Sequence, residues 1–148
     1  MKLLGFDYPD GLYYWLERDM WCRQLDDGRV QVGVTAFGIH ISGDFFMCRP
    51  KPVGTVLEQG QTVAVAELSK SVVAIKTPVS GTVCEVNALL EDKPELVHRD
   101  PYGEGWLVCV QPIRWAEDLL QLSAGPALQA TASRRMRLEN MDFSGDEP

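Results

Sequence analysis

The feature that most constrains the fold is a series of short β-branched segments between residues 30 and 112, separated by glycine and proline. Within each segment, apolar residues recur with period two, which is typical of half-buried strands. The clearest segments are residues 30–34, 62–66, 71–75 and 106–110. Glycine-containing turns are indicated between strands, at residues 26–28, 42–44, 58–60 and 78–81. The pattern predicts an antiparallel, loop-rich, mainly β domain.

Composition limits the size and the partners of this domain. At 148 residues, with 45% hydrophobic and 24% charged residues, the chain suits one compact domain with a sizeable core. The formal net charge of −7 has the wrong sign for holding a phosphate backbone. We therefore expect no nucleic-acid partner, and the acidity could steer the domain towards basic surfaces on other proteins.

Four cysteines, Cys22, Cys48, Cys84 and Cys109, are widely spaced and form no C-x-x-C pair. This spacing predicts buried free thiols and neither a zinc site nor a redox dithiol. The first residues resemble no signal peptide, and no apolar run approaches the roughly twenty residues of a membrane span. We expect a cytoplasmic protein without a membrane segment.

The two ends of the chain differ from its β centre. The N-terminal stretch is rich in aromatic residues, which we expect to cover one end of the β core: Tyr8, Tyr13, Tyr14, Trp15 and Trp21. After Pro112 the pattern becomes helical, with apolar residues predicted along one side: Trp115, Leu119, Leu120 and Leu122. A second helix is predicted over residues 126–138, and residues 142–148 are predicted to be disordered.

A pentad of the form G-T-V-x-E occurs twice, at residues 54–58 and 81–85. Two instances can arise by chance. Alternatively, they indicate two similar sheet halves related by a pseudo-twofold axis, with Lys70 near the midpoint between them.

Lys70 lies in a polar break, Ser69-Lys70-Ser71, between two alternating segments. A break of this length predicts the tip of a hairpin, with the lysine projecting into water above a rigid base. Such a lysine is accessible to an acylating enzyme. From the turn alone, however, a lysine that merely protects a strand edge is the favoured interpretation.

The sequence on either side of Lys70 favours an acylated lysine over one that only protects a strand edge. Residues 67–71 (E-L-S-K-S), 78–81 (P-V-S-G) and 86–87 (V-N) resemble the glycine cleavage H-protein family, which reads E-S-x-K-A, S-P-V-S-G and V-N. The similarity continues without a gap through residues 87–106, against a family pattern N-x-x-L-x-x-x-P-x-L-V-N-x-x-P-Y-G-E-G-W. With V-G-V-T at 32–35 and G-D at 43–44, it covers roughly residues 8 to 125.

This resemblance implies a flattened β-sandwich or barrel-sandwich hybrid with a C-terminal helical segment. It also implies that Lys70 carries covalent lipoate and that the domain is a swinging-arm carrier with no catalytic residues of its own. Biotinyl carriers share the scaffold but place methionine on both sides of the lysine, whereas Ser69 and Ser71 stand here. Lipoate is therefore favoured over biotin.

Other candidate residues follow from the same alignment. Glu67, with Ser69 and Ser71, either helps a lipoate ligase to recognise the turn or is simply a solvated strand residue. The two histidines lack the partners of a catalytic set, and His98 is expected to order a loop. An enzyme that used Cys48 or Cys84 with His40 would lack an orienting third group.

The chain also departs from the family pattern. The family reads D-H-E-W where residues 18–21 are R-D-M-W, D-x-Y where Ala36-Phe37 follow the V-G-V-T motif, and D-L-Y-S-P where residues 74–78 are A-I-K-T-P. These positions are expected near the exposed end where partner enzymes dock. With the tail residues 134–137 (R-R-M-R), the profile is similar to H-like proteins of heterodisulfide-reductase-like sulfur oxidation.

Three functions follow as hypotheses. The preferred one is a lipoyl carrier that passes a thiol-bound intermediate to a heterodisulfide-reductase-like complex. The alternatives are a glycine cleavage H-protein carrying the aminomethyl group between glycine cleavage enzymes, and a non-lipoylated interaction module. We expect a monomer, modified by a lipoate ligase, with a carrier domain over residues 1–125 and a helical, then disordered, tail over 126–148.

Overall fold

The computed structural model describes residues 1–139, so the predicted disorder at residues 142–148 lies outside the described part of the chain. Its strands are β1 (Lys2–Leu3), β2 (Phe6–Asp7), β3 (Tyr13–Trp15), β4 (Met20–Gln24), β5 (Val30–Val34), β6 (Met47–Pro50), β7 (Val56–Leu57), β8 (Thr62–Glu67), β9 (Val72–Lys76), β10 (Gly81–Val86) and β11 (Val108–Pro112). Its α-helices are α1 (Ala36–Ser42), α2 (Leu89–Asp92), α3 (Leu96–Arg99), α4 (Trp115–Asp118) and α5 (Leu128–Leu138). Short 3-10 helices cover Leu16–Arg18, Leu119–Gln121 and Gly125–Ala127.

Within residues 1–139 the strands form three antiparallel sheets. One has six strands in the order β3-β4-β5-β11-β10-β7, one has three in the order β6-β8-β9, and β1 pairs with β2. The predicted mainly β fold with a C-terminal helix is confirmed.

The two larger sheets share one apolar core because their strands alternate inward and outward side chains. Completely or almost completely buried residues from both sheets belong to the same cluster, among them Val30, Val32 and Val110 of the larger sheet and Val63, Ala64, Ala66 and Ile75 of the smaller one. The three-stranded sheet is thus held on one face by packing and leaves its other face to solvent.

A second cluster closes one end of this core. Tyr8, Tyr14 and Trp21 are buried there, together with apolar residues of α1 and α5: Phe37, Leu128, Ala132 and Met136. The expected cover of N-terminal aromatic residues is confirmed for these three, while Tyr13 and Trp15 are half-buried against the main core. Helix α5 begins just after Pro126, close to the predicted boundary.

Two local predictions differ from the structure, and one helix was not predicted. Helix α1 was not predicted; Thr35 caps it, its hydroxyl accepting a bond from the Gly38 N–H at 3.1 Å. The predicted apolar side after Pro112 is wrong for Leu120, which is 82% exposed because α4 gives way to a 3-10 turn after four residues. The predicted strand 106–110 starts two residues later, at Val108.

The repeated pentads lie side by side. Residues 56 and 57 of the first pair in antiparallel fashion with residues 82 and 81 of the second. The Val83 N–H also donates to the Thr55 carbonyl at 2.8 Å. Antiparallel pairing of equivalent segments relates them by a local twofold axis, and the hairpin β8–β9 lies between them in sequence.

An ion pair joins α5 to the N-terminal part of the chain. Arg135 approaches Asp19 at 2.6 Å, and both side chains are only 12% exposed. Its Nε also donates to the Leu16 carbonyl at 3.0 Å. Burial raises the pKa of Asp19, with Arg135 acting in the opposite direction, so the carboxylate depends on this partner for its charge.

We expect Arg135→Met to lower the free energy of unfolding by about 3 kcal/mol, because it leaves a buried carboxylate without its cation. Arg134→Met is the matched control, since Arg134 is exposed, and it should change stability by less than about 0.5 kcal/mol. Chemical denaturation of both variants measures the difference. Equal stabilities of the two would show that the Asp19 pair contributes nothing.

Candidate functional site

The segment around Lys70 is a tight hairpin. Glu67 and Val72 are the pair of β8 and β9 nearest the loop. Beyond them, the Leu68 N–H donates to the Ser71 carbonyl at 2.8 Å. Only Ser69 and Lys70 remain as the loop. The predicted hairpin tip is therefore present in the structure.

Lys70 is exposed at this tip and its ammonium makes no hydrogen bond or ion pair within residues 1–139. The other lysines are placed differently. Lys2 pairs with Asp7 at 3.8 Å, and the half-buried Lys76 donates to Thr62 Oγ1 at 3.2 Å. The two remaining lysines follow β6 and α2 rather than a hairpin: Lys51 and Lys93. Of the five lysines, Lys70 is the one that lies at the tip of a hairpin.

The base beneath the tip is rigid. On the inner face of the hairpin, Ala64, Ala66 and Ile75 are buried in the main core. Strand β6 continues the sheet on the side of β8. A group attached to Lys70 would thus move through its own single bonds while the carrier keeps its shape.

The far end of β9 is anchored by the turn at residues 77–81. The Thr77 hydroxyl donates to the Val79 carbonyl at 2.8 Å, and the buried Asp118 carboxylate accepts bonds from the Ser80 N–H at 2.6 Å and from its hydroxyl at 3.1 Å. Sequence reasoning missed Asp118, because nothing in the chain links it to a residue 38 positions earlier. These bonds fix where the strand after Lys70 ends.

The long family-like run at residues 87–106 is a structural element rather than a reactive one. The Asn87 amide donates to the carbonyls of Glu104 and Trp106, both at 2.7 Å, and its oxygen accepts from the Leu89 N–H at 3.1 Å. The Trp21 indole donates to the Pro101 carbonyl at 3.0 Å. This run orders the loops beside the second cluster.

His98 fits the expected ordering role. Its Nε2 accepts a bond from the Phe45 N–H at 2.9 Å, and its Nδ1 lies 3.6 Å from Asp44. Both partners belong to the loop between α1 and β6. His40 instead stacks edge-on against Phe6, with ring centroids 5.0 Å apart.

The remaining candidate residues surround the tip without bonding to one another. Glu67, Ser69 and Ser71 are exposed, and the side chains of all three make no hydrogen bond within the described chain. Their suggested role in ligase recognition stays a prediction.

The cysteine thiols are poorly suited to chemistry. Cys22, Cys48 and Cys109 are buried, and Cys84 is half-buried, with all four reduced. Burial raises the pKa of Cys48 to about 12 and that of Cys109 to about 11, so neither forms the reactive thiolate at neutral pH. Residues 1–139 contain no group of three potential metal ligands.

A family model described as glycine cleavage H-protein matches residues 12–134. The chain belongs to the glycine cleavage H-protein family. Members of this family carry lipoate attached covalently to a lysine, so the predicted cofactor is confirmed.

Individual H proteins are similar over most of the chain. Glycine cleavage system H protein 2 of Aquifex aeolicus is 38% identical over 121 residues, 82% of this chain and 75% of that protein. The H protein of Mycobacterium avium is 43% identical over 105 residues, 71% of this chain and 79% of that protein. The crystal structure of the Mycobacterium marinum H protein superimposes with a TM-score of 0.68 at 26% identity, covering 90% of this chain and all of that one.

The hairpin tip fits the H-protein cofactor. Attachment of lipoate requires an amine that a second enzyme can reach and that no carboxylate holds, and Lys70 meets both conditions within the described residues. The flanking serines add no bulk at the tip.

The residues that depart from the H-protein pattern do not all lie at an exposed docking end, as was predicted. Met20 and Phe37 are buried in the two apolar clusters, although Met20 also lines part of a groove beside β9. Ala74 is exposed on β9 as expected. Asp19, in the altered N-terminal motif, pairs with Arg135 of the unusual tail. The N-terminal and C-terminal departures are therefore in direct contact.

In the described part of the chain, no helix combines the length and the apolar character that a membrane crossing requires.

Proposed function

We propose that this protein is a lipoyl carrier in which Lys70 bears the lipoate, working in the cytoplasm as a monomer without catalytic residues. The observation that carries the proposal is the free, exposed ammonium of Lys70 on a two-residue loop above a packed hairpin. When bound, lipoate supplies a disulfide that opens to two thiols able to carry a group or an electron pair.

The chain's own residues have a limited part in this function. A lipoate ligase would join Nζ of Lys70 to the carboxyl carbon of a lipoyl–AMP anhydride, breaking the bond to phosphate and releasing AMP and the two protons that the ammonium loses. Lys70 therefore acts as an attachment point and not as a base. The hairpin keeps that point in one place, and the packed sheets keep their shape as partners change.

We propose that the pathway is glycine cleavage, which is the interpretation that the names of the relatives support. The H proteins of Aquifex aeolicus and Mycobacterium avium are named for that system. The preferred sequence interpretation, sulfur oxidation, gains no support from those names. On this proposal the partners are the ligase and the glycine cleavage enzymes.

One observation keeps sulfur oxidation as a second candidate. A groove of about 250 Å³ beside β9 is lined by Met20 and Ala74, at positions where the family pattern has glutamate and aspartate. The charged residues that line the same groove are Arg18, Lys76, Glu17 and Asp19. Relative to the family pattern, the groove loses carboxylates at Arg18, Met20 and Ala74 and gains one at Asp19, which Arg135 neutralises. This change disfavours a cationic cargo such as an aminomethyl group and suits a neutral or anionic sulfur group better.

Reconstitution with glycine decarboxylase separates the two pathways. We expect the lipoylated protein to support glycine-dependent exchange of labelled CO₂, and the Lys70→Arg variant to support none. Exchange is measured by incorporation of labelled bicarbonate into glycine. A fully lipoylated protein without exchange would contradict glycine cleavage while leaving the carrier proposal intact.

A further inference from the structure

The two larger sheets in residues 1–139 end in four edge strands, and three of these edges are protected. The main chain of Tyr14 in β3 exchanges hydrogen bonds with Ser123 at 2.9 and 2.7 Å. Strand β7 has only two residues, and β6 lies against α2 and ends at Pro50, which has no N–H. Short length, proline and cover by other elements are the usual protections of a sheet edge.

Strand β9 has none of these three protections, and its one charged residue, Lys76, is its last. It spans Val72–Lys76, contains no proline, and the register irregularity in its pairing falls on the β8 side, between Thr62 and Ala64. Val72 is 65% exposed. An apolar edge of this length, with which no other strand of residues 1–139 pairs, is a template for a further strand.

The alternation of hydrogen-bonded and non-bonded pairs between β8 and β9 shows which main-chain N–H and C=O groups of β9 are free to bind another strand. Leu68 and Ser71 form a bonded pair, and bonded and non-bonded pairs alternate along an antiparallel ladder. Val72 and Ala74 are therefore in non-bonded positions, with N–H and C=O directed away from β8. Outside the ladder with β8, their main chains make no hydrogen bond within residues 1–139.

A groove runs along this free edge. Residues 73–76 line one side, and residues of the first 3-10 helix, β4 and α1 line the other, including Arg18, Met20 and Gly38. Its volume is about 250 Å³. An extended segment that pairs with β9 would thus also have a wall of side chains to contact.

We propose that β9 receives an extended segment of the enzyme that acylates Lys70, added as a fourth strand to the sheet β6-β8-β9. The proposal rests on the function proposed above for Lys70. Strand addition of this kind derives affinity from main-chain hydrogen bonds and specificity from the flanking side chains.

The acylating enzyme is the partner that this edge fits best. Before acylation no arm exists, so that enzyme must bring its acyl donor within one lysine side chain of the tip. Strand β9 begins two residues after Lys70 and must then lie against the enzyme. Pairing in a fixed register also distinguishes Lys70, which precedes β9 by two residues, from Lys76, which is its last residue.

Ala74→Pro tests the proposal because it removes one outward N–H and none of the bonds to β8. Val56→Pro is the matched control. The Val83 N–H donates to Thr55, so the N–H of Val56 likewise points away from its partner strand, on the edge of the other sheet. We expect kcat/KM for acylation by purified lipoate–protein ligase, with ATP and lipoate, to fall by about tenfold in Ala74→Pro only.

Several outcomes overturn the proposal. If both proline variants are acylated as fast as the wild type, β9 pairing is unnecessary. If wild-type Lys70 is never acylated, the proposed function itself fails. If circular dichroism shows that Ala74→Pro does not fold, amide hydrogen exchange of the wild-type protein replaces this test. Slower exchange at Val72 and Ala74 after the ligase is added supports the proposal. Unchanged exchange at these amides contradicts it. Protection of these amides in a dimer of the free protein would assign the edge to a second copy.

Discussion

Replacing Lys70 with arginine is expected to abolish lipoylation completely. Arginine keeps the positive charge and nearly the length of lysine, but its guanidinium stays protonated and cannot attack an acyl donor. The side chain makes no bond within the described residues, so the fold should be unaffected. Intact mass spectrometry after expression with a lipoate ligase measures the result.

Lys76→Arg is the matched control for this prediction. Lys76 belongs to the same hairpin but is half-buried and donates to Thr62. We expect this variant, like the wild type, to carry one lipoyl amide. A lipoyl adduct on Lys70→Arg would assign the attachment to another lysine. Equal binding of partner enzymes by wild-type and Lys70→Arg protein, with no adduct on either, would instead support a non-lipoylated interaction module.

Gly81→Ala is expected to have the largest effect on stability. Gly81 starts β10 with φ of +155°, at the edge of the region that side chains rarely adopt. A Cβ there would overlap the Gln111 carbonyl oxygen of β11 and lie 2.7 Å from Val110 Cγ1. Since the neighbouring strand cannot move without breaking the sheet, we expect a loss of about 3 kcal/mol or more in the free energy of unfolding.

The Gly28→Ala variant measures the cost of a side chain on a left-handed backbone without any steric overlap of the added Cβ. Gly28 has φ of +90°, and a Cβ at that turn would meet nothing within 4 Å. Its cost should be limited to the left-handed backbone, about 1 kcal/mol. Chemical denaturation of the two variants measures the difference. A Gly81→Ala protein as stable as Gly28→Ala would mean that β10 and β11 separate easily, contrary to the packed core described above.

Sequence periodicity predicted the parts of the fold that depend on local alternation. The hairpin at Lys70 could be predicted because two alternating segments enclose a polar break. Helix α1 could not, because one threonine cap before seven mixed residues is a weak signal. The exposed position of Leu120 depends on a 3-10 turn, which helical periodicity does not describe.

In the candidate site, too, the local sequence predicted some features and could not predict the contacts between distant residues. Alignment of motifs pointed to Lys70 itself, but not to the contacts that hold its surroundings. Asp118 bonds to Ser80 across 38 residues, and Asp19 to Arg135 across 116. Such pairs depend on how the sheets and α5 pack. The assumption that every departure from the family is a docking change failed for this reason, since Met20 and Phe37 face the core.

The structure therefore suggests how a carrier can change partners while keeping its chemistry. The tip residues 69 and 70 stand above a hairpin whose inner face is packed, so changes along β9 alter the surface that a partner meets and leave the attachment point in place. The ion pair between the altered N-terminal motif and α5 lies at the other end of the core.

Peptide mapping of the wild-type protein, after expression with a lipoate ligase and lipoate, tests the central claim most directly. We expect a single lipoyl amide, located by fragmentation on Lys70 within the peptide that spans the β8–β9 hairpin. An unmodified chain, or an adduct on any of the other four lysines, Lys2, Lys51, Lys76 and Lys93, would contradict it.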